Sequence, residues 1–170
     1  MIGKSLKHCA GPVVMLFVIG LITGCSPAPK EAADHSATIK EALNLMKTTA
    51  EGLGEASLVD NSLAFGTTAI GGDNQIVNLL KDQYQCTATF FAKQGDAFVR
   101  VSTTVLQDGA PAVGTPLDPN GPACKALQNG ESFSGTADIL GKQYEAGYEP
   151  IKNAAGEVIG AMYAGFEITK

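Results

Sequence analysis

Apolar residues recur at three- and four-residue spacing between residues 36 and 53, at Ile39, Leu43, Met46, Ala50 and Leu53. That period predicts an amphipathic helix with one stripe turned to a core. Asp34 or Ser36 is placed to cap it, and Gly52 and Gly54 to end it. Residues 74–83 repeat the pattern on a smaller scale, with Ile76, Val77, Leu79 and Leu80 apolar and Asp73 as the cap. Between the two helices, residues 63–69 read as a short strand around Phe65, and Gly71-Gly72-Asp73 turns the chain. From Gln85 onward the period changes to two. Residues 85–92 and 96–105 form a predicted hairpin that turns at Gln94-Gly95. Residues 108–122 are rich in Gly, Pro and Asp and read as a crossing loop, followed by a helical turn at 123–128. Three further strands are expected at 132–140, 143–152 and 158–168. Two helices followed by an antiparallel meander with one long crossing loop make an α+β pattern.

The start of the chain follows another logic. Lys4, Lys7 and His8 precede an almost wholly apolar run at residues 12–23, and small residues then lead into Cys25. The run is about a dozen residues where a spanning helix needs roughly twenty, so it reads as a cleaved leader rather than a membrane anchor. Leu21-Ile22-Thr23-Gly24-Cys25 resembles the bacterial lipobox, which implies cleavage before Cys25 and lipidation of its thiol. Each buried acyl methylene contributes about 0.8 kcal/mol, and two or more chains hold a protein stably at a membrane. Ser26-Pro27-Ala28-Pro29-Lys30 reads as a flexible tether. The expected organisation is a signal peptide at 1–24, a lipidated tether at 25–33 and a single domain at 34–170.

Removing the leader changes the charge and the cysteine count. The remaining 146 of 170 residues are enough for one core. They carry ten basic against 17 acidic residues, a formal charge of about −7. An acidic chain without a basic cluster argues against nucleic acid or an anionic lipid surface as partner. Cys9 leaves with the leader and Cys25 takes lipid, so Cys86 and Cys124 remain in an oxidising compartment. A disulfide between them is expected there; the alternative is two buried thiols acting as small apolar residues.

Several stretches of the meander carry a family likeness. They are Phe65-Gly66-Thr67-Thr68 through Ile76-Val77, then Cys86-Thr87-Ala88-Thr89-Phe90-Phe91, and residues 95–103 (Gly-Asp-Ala-Phe-Val-Arg-Val-Ser-Thr). Residues 112–118, Tyr144 to Ile151 and Gly156 to Phe166 complete the set. In this order and spacing they resemble the Cache domain, the extracytoplasmic PAS-like sensor module of bacteria, in its Cache 3/Cache 2 fusion form, over roughly residues 34–168. The resemblance implies an antiparallel sheet of five to six strands with the long N-terminal helix packed on one face. It also implies small-ligand binding and a place in signal transduction such as chemotaxis. Such sensors usually begin with a transmembrane helix and continue into a cytoplasmic signalling module. This chain has a lipobox and stops at Lys170, so it is expected to be a sensor head in the periplasm or at the cell surface, without its own output. A membrane-bound sensor or transporter would then be its partner.

Strand alternation nominates the site. Tyr144, Ala146, Tyr148, Pro150, Ile159, Ala161, Tyr163 and Gly165 share one face, and Ile151, Val158, Met162, Ala164 and Phe166 the other. Tyrosines interleaved with small residues offer room, flat apolar bodies and hydroxyls, as a pocket for a small polar ligand needs. Arg100 is the only arginine, and the predicted hairpin sets it opposite Thr89, on a face with Thr87 and Ser102. Its planar fork suits a carboxylate, as in an organic acid or an amino acid. The competing readings are tyrosine tips in solvent and an Arg100 paired with an acid such as Asp118. The expected ligand-binding residues are therefore Arg100, Tyr144, Tyr148, Tyr163 and Thr89. On this register Cys86 points away from the pocket face, which sets it against a bridge to Cys124 unless a bulge intervenes.

No catalytic constellation is legible. His35 is the only histidine after the leader and reads as a solvated or capping residue. There is no haem or zinc motif and no phosphate loop, so no metal or other cofactor is expected. Two functional classes remain besides an enzyme. One is a small-molecule-binding sensor lipoprotein; the other is a structural or protein-interaction lipoprotein whose pocket is filled.

Overall fold

The computed structural model describes residues 34–168. The leader, the lipobox with Cys25 and the tether lie outside the described residues. None of the described helices is long and apolar enough to cross a membrane.

Helix α1 (Ser36–Glu51) buries Ile39, Ala42, Leu43, Met46 and Ala50, the predicted stripe plus one alanine. The Asp34 carboxylate accepts from the Ser36 N–H at 2.9 Å and satisfies one of the orphan donors of the first turn. Three short strands follow: β1 (Ala56–Val59), β2 (Ser62–Phe65) and β3 (Thr68–Ala69), in a small antiparallel sheet. The expected single strand at 63–69 is thus two strands broken by Gly66, and β1 was hidden because four residues are too few to show a period. Asp60 and Asn61 make the β1–β2 turn at φ 49° and 63°, where these two residue types are tolerated best. Helix α2 (Gln75–Tyr84) is capped by Asn74, whose side chain accepts from the Ile76 N–H at 2.8 Å, and not by Asp73.

The remaining chain builds the main sheet. Strands β4 (Thr87–Gln94) and β5 (Ala97–Thr103) form the hairpin, with the turn at Gly95-Asp96, one residue later than expected. The crossing segment contains a two-stranded ribbon, β6 (Leu106–Gln107) and β7 (Ala110–Pro111), and a short helix α3 (Pro122–Gln128). Strands β8 (Phe133–Ile139), β9 (Lys142–Lys152) and β10 (Val158–Glu167) complete an antiparallel sheet of order β5-β4-β10-β9-β8. Residues 114–117 run along the outer edge of β5. Gly114 N–H donates to the Arg100 carbonyl at 2.8 Å, Arg100 N–H to the Thr115 carbonyl at 3.0 Å, and Leu117 N–H to the Phe98 carbonyl at 2.8 Å. The crossing segment therefore closes that edge and shields its backbone.

The sheet separates two cores. On one face α1 and α2 pack against Cys86, Ala88, Phe90, Ile151, Met162 and Ala164. On the other, α3 and Leu117 cover Phe91, Phe98, Tyr144, Ala146, Tyr148, Ala161 and Tyr163. Two register shifts correct the predicted faces. One between Val158 and Gly160 turns Ile159 to the helix side and Val158 to the tyrosine side. The other, at Phe90/Phe91 opposite β5, passes over Val101, so Ser102 faces the helix side and donates to the Gly72 carbonyl at 2.9 Å. His35 is the N-cap residue of α1, as expected for a capping position, but its side chain makes no cap hydrogen bond and is only partly exposed. Its amide and its Nδ1 both meet Glu145 Oε2, at 3.0 and 3.3 Å, and its ring stacks on Phe166 with centroids 4.1 Å apart.

Helix α1 sits on β9 at Gly147. A Cβ there would lie 2.5 Å from Ile39 Cγ2 and 2.8 Å from Leu43 Cδ1. Gly147→Ala is expected to destabilise the fold by about 1–3 kcal/mol through overpacking, read as a lower urea midpoint with an unchanged slope. An unchanged midpoint would mean that the helix can slide off β9 at no cost.

Candidate functional site

Two rows of residues cross the sheet on the face away from α1. In one, Thr103, Thr89, Tyr163, Tyr148 and Phe133 are successive cross-strand partners from β5 to β8. In the next, Arg100, Phe91, Ala161 and Pro150 are partners from β5 to β9. Arg100 thus stands opposite Phe91 and not opposite Thr89, because the hairpin turns one residue later than expected. Thr89 still shares its face. Ala161 is the small member of the second row, and in the first row the Tyr148 and Tyr163 ring centroids are 4.9 Å apart.

Arg100 is 3% exposed. Its guanidinium lies over the Phe91 ring, 5.1 Å from the centroid, a cation–π arrangement. Nη1 donates to Thr115 Oγ1 at 2.9 Å and to the Pro116 carbonyl at 3.1 Å. Nε is buried with no partner, and Nη2 donates to nothing among the described residues. No carboxylate pairs with it there either; Asp118 instead accepts from the Asn120 N–H. Burial pushes the guanidinium down from its ordinary value, with Tyr148 and Tyr163 opposing that shift.

The other four candidates divide. Tyr148 is 1% exposed, and its hydroxyl has no hydrogen-bond partner among the described residues. Tyr163 is engaged: its hydroxyl lies 2.9 Å from Thr87 Oγ1, which itself donates to the Gly165 carbonyl, so Tyr163 is the donor of that pair. Thr89 is spent on Thr103, with the two Oγ1 atoms 2.6 Å apart. Tyr144 reaches the rim, where its hydroxyl donates to Glu167 Oε2 at 3.4 Å and Glu167 also takes Lys142 at 3.0 Å. The structure brings all five to one face but leaves free donors at Arg100 and Tyr148. Sequence reasoning missed Phe91, Thr115 and Pro116. Phe91 was legible as the residue sharing the Thr89 face, whereas Thr115 and Pro116 lie in an irregular segment whose pairing with β5 has no sequence period. Three open clefts of about 500 Å³ are lined by none of the five.

The cysteine expectation is corrected. Cys86 and Cys124 are free and buried, Cys86 in the helix-side core and Cys124 in the tyrosine-side core, so the sheet stands between the two sulfurs. Cys86 lies 3.7 Å from the Leu80 carbonyl, and burial pushes its thiol up to about 11.

A two-faced antiparallel sheet with a long helix on one side and a covered polar cluster on the other is the architecture of a PAS-like sensor. The chain belongs to the Cache 3/Cache 2 fusion domain family, whose pattern it matches over residues 33–170. Domains of this family are extracytoplasmic ligand-sensing modules, and they bind rather than catalyse. Among solved structures, the chain is similar to the sensor domain of Escherichia coli DcuS, with 20% identity and a TM-score of 0.40. That match covers 54% of this chain, and 63% of the length of the DcuS domain is spanned. No curated protein matches the chain.

Burial also sets a pH limit. Tyr148, Tyr163 and Cys86 all hold their protons above their ordinary values because the charged form is desolvated. The unfolded chain releases these protons at its ordinary values, 9.0 for the thiol and 10.0 for the phenols. The raised native values favour folding fully below that range, and the contribution is lost as pH rises through it. The urea midpoint is expected to hold up to about pH 9 and to fall steadily towards about pH 11. A flat midpoint across that window would show that these groups are wet.

Proposed function

We propose that this chain is a lipid-anchored sensor lipoprotein that binds a small organic molecule bearing a carboxylate, an organic acid or an amino acid, and reports its occupancy to a membrane-bound partner. The observation that carries the reading is the orphaned Nε of a buried arginine. An ionised guanidinium taken out of water without a counter-ion costs several kcal/mol. A ligand carboxylate would fill Nε and Nη2 with two parallel charge-assisted bonds. The Tyr148 hydroxyl, without a protein partner among the described residues, is the second donor of the same face. The lipobox at Cys25 supports the anchoring. A second reading, a retained fold with a filled pocket, is favoured by the near-complete burial of Tyr148 and Tyr163.

A thermal-shift screen of the full-length protein in detergent against carboxylates and amino acids separates the two, since binding to the native state raises the melting temperature by mass action. Calorimetry with the hit then tests the residues. Arg100→Ala is expected to weaken binding about ten- to a hundredfold, and Tyr148→Phe less, because it removes only a hydroxyl. Unchanged affinity in a folded Arg100→Ala protein would place the site elsewhere. For the anchor, Cys25→Ser is expected to abolish incorporation of a palmitate analogue. Label retained on the variant would end that part of the proposal.

A further inference from the structure

Resting on that reading, the geometry points to a narrower ligand class: we infer that the site takes a small monocarboxylate with an uncharged remainder, gripped side-on by Nε and Nη2 of Arg100, with Thr115 as the positioning residue. The fork has three edges' worth of donors, and the protein has used one. Nη1 is tied to Thr115 Oγ1 and the Pro116 carbonyl. The face of the fork is fixed by the Phe91 ring. What remains is the Nε–Nη2 side, a planar pair of parallel N–H groups that matches the two oxygens of one carboxylate.

The rest of the ligand meets no charge. Arg100 is the only buried charged residue among those described, so the enclosed part of the face holds one cation and no anion. Glu145 and Glu149 share strand β9 with the tyrosines but alternate to the helix side, Glu149 opposite Met162 and Glu145 against His35. Glu167 is at the rim, engaged by Lys142. Lys93, two residues from Phe91 on β4, is half-exposed at the hairpin end, beside its partner Phe98, and stays solvated. The ammonium of an α-amino acid would therefore be buried without an acceptor of opposite charge, and the second carboxylate of a diacid without a second fork. Either is a heavy cost in an enclosed site. The buried neighbours on this face, Phe91, Tyr148, Tyr163 and Ala161, are apolar but for the tyrosine hydroxyls, so a short alkyl chain displacing part of that packing would meet no charge.

Thr115 acts through Arg100. Its hydroxyl is itself fixed, donating to the Ala112 carbonyl at 2.7 Å, and it presents a lone pair to Nη1. Without it only the Pro116 carbonyl holds Nη1, and the free edge is aimed less firmly.

The test is calorimetry on the full-length protein in detergent with propionate, succinate and alanine as probes, on the unmodified chain, Arg100→Lys and Thr115→Val. The expected result is binding of propionate, with succinate and alanine weaker by roughly a hundredfold. Arg100→Lys is expected to weaken propionate about tenfold or more, since an ammonium cannot replace a planar fork. Thr115→Val is expected to weaken it several-fold and to lower the melting temperature of the free protein, because it takes an acceptor from a buried guanidinium, and measured on the folded variant it carries the test if Arg100→Lys does not fold. Succinate or alanine binding as tightly as propionate, and lost in Arg100→Lys, would overturn this inference while leaving the carboxylate reading intact. Binding by none of the three overturns this inference, and binding by no carboxylate in the wider screen overturns both. Propionate affinity unchanged in Thr115→Val would remove Thr115 from the positioning role.

Discussion

Among the described residues, a single positive charge sits in the interior with nothing negative paired to it. The Arg100 guanidinium is held by an aromatic face, one hydroxyl and one carbonyl, and those contacts account for Nη1 alone. Neutral partners recover part of the hydration lost on burial, but a charge kept without an ion of opposite sign remains expensive. Folds of this size are stable by only about 5–15 kcal/mol, so such a residue needs a strong surrounding frame. The frame is visible. The backbone of β5 is bracketed on both sides, by β4 through the ladder and by residues 114–117 through three hydrogen bonds. Arg100 is paired at its own amide and its own carbonyl to that outer segment. The backbone at Arg100 cannot turn its side chain to the other face without undoing the edge of the sheet.

Which face it points to depends on where the strands slip. The alternation of apolar and polar residues was legible along β9 and β10, and it placed Tyr144, Tyr148, Ala161 and Tyr163 together on the correct side. Long amphipathic α1 was legible for the same reason, a repeated period over many residues. The exceptions cluster at bulges. Val158 and Ile159 exchange sides because one residue is added between Val158 and Gly160, and Ser102 leaves the Arg100 face because Val101 is passed over. A bulge is a local backbone choice that leaves the composition of the strand unchanged, and one extra residue inverts every face beyond it. The short strands β1, β3, β6 and β7 were illegible on different grounds: two to four residues carry no period.

The same two-faced logic decides the cysteines. Both occupy an oxidising compartment on the sequence reading, and proximity could not be judged from their separation along the chain. Cys86 follows Ala88 and Phe90 in alternation and joins the helix-side core, whereas Cys124 is carried over the sheet by the crossing segment and joins the tyrosine side. A bridge needs Cα atoms within about 7 Å and side chains aimed at each other, and a packed sheet between the sulfurs denies both. The compartment allows a disulfide; the topology assigns each thiol to packing.

Strand β9 joins the two halves of the molecule. Tyr148 faces the polar cluster and the adjacent Gly147 seats α1, so neighbouring residues of one strand serve opposite layers. Glu145, two residues earlier, holds His35 at the start of α1, and Phe166 on β10 stacks against the same ring. Interiors packed at crystal-like density have little slack to absorb a displaced side chain. At Gly147 there is none, since even one added carbon would strike Ile39 and Leu43. Any ligand that moves Tyr148 must therefore either leave β9 where it is or carry Gly147 with it, and with Gly147 the helix. That constraint, set by the absence of a side chain at one position, couples any displacement of β9 to the helix at the N-terminal end of the domain.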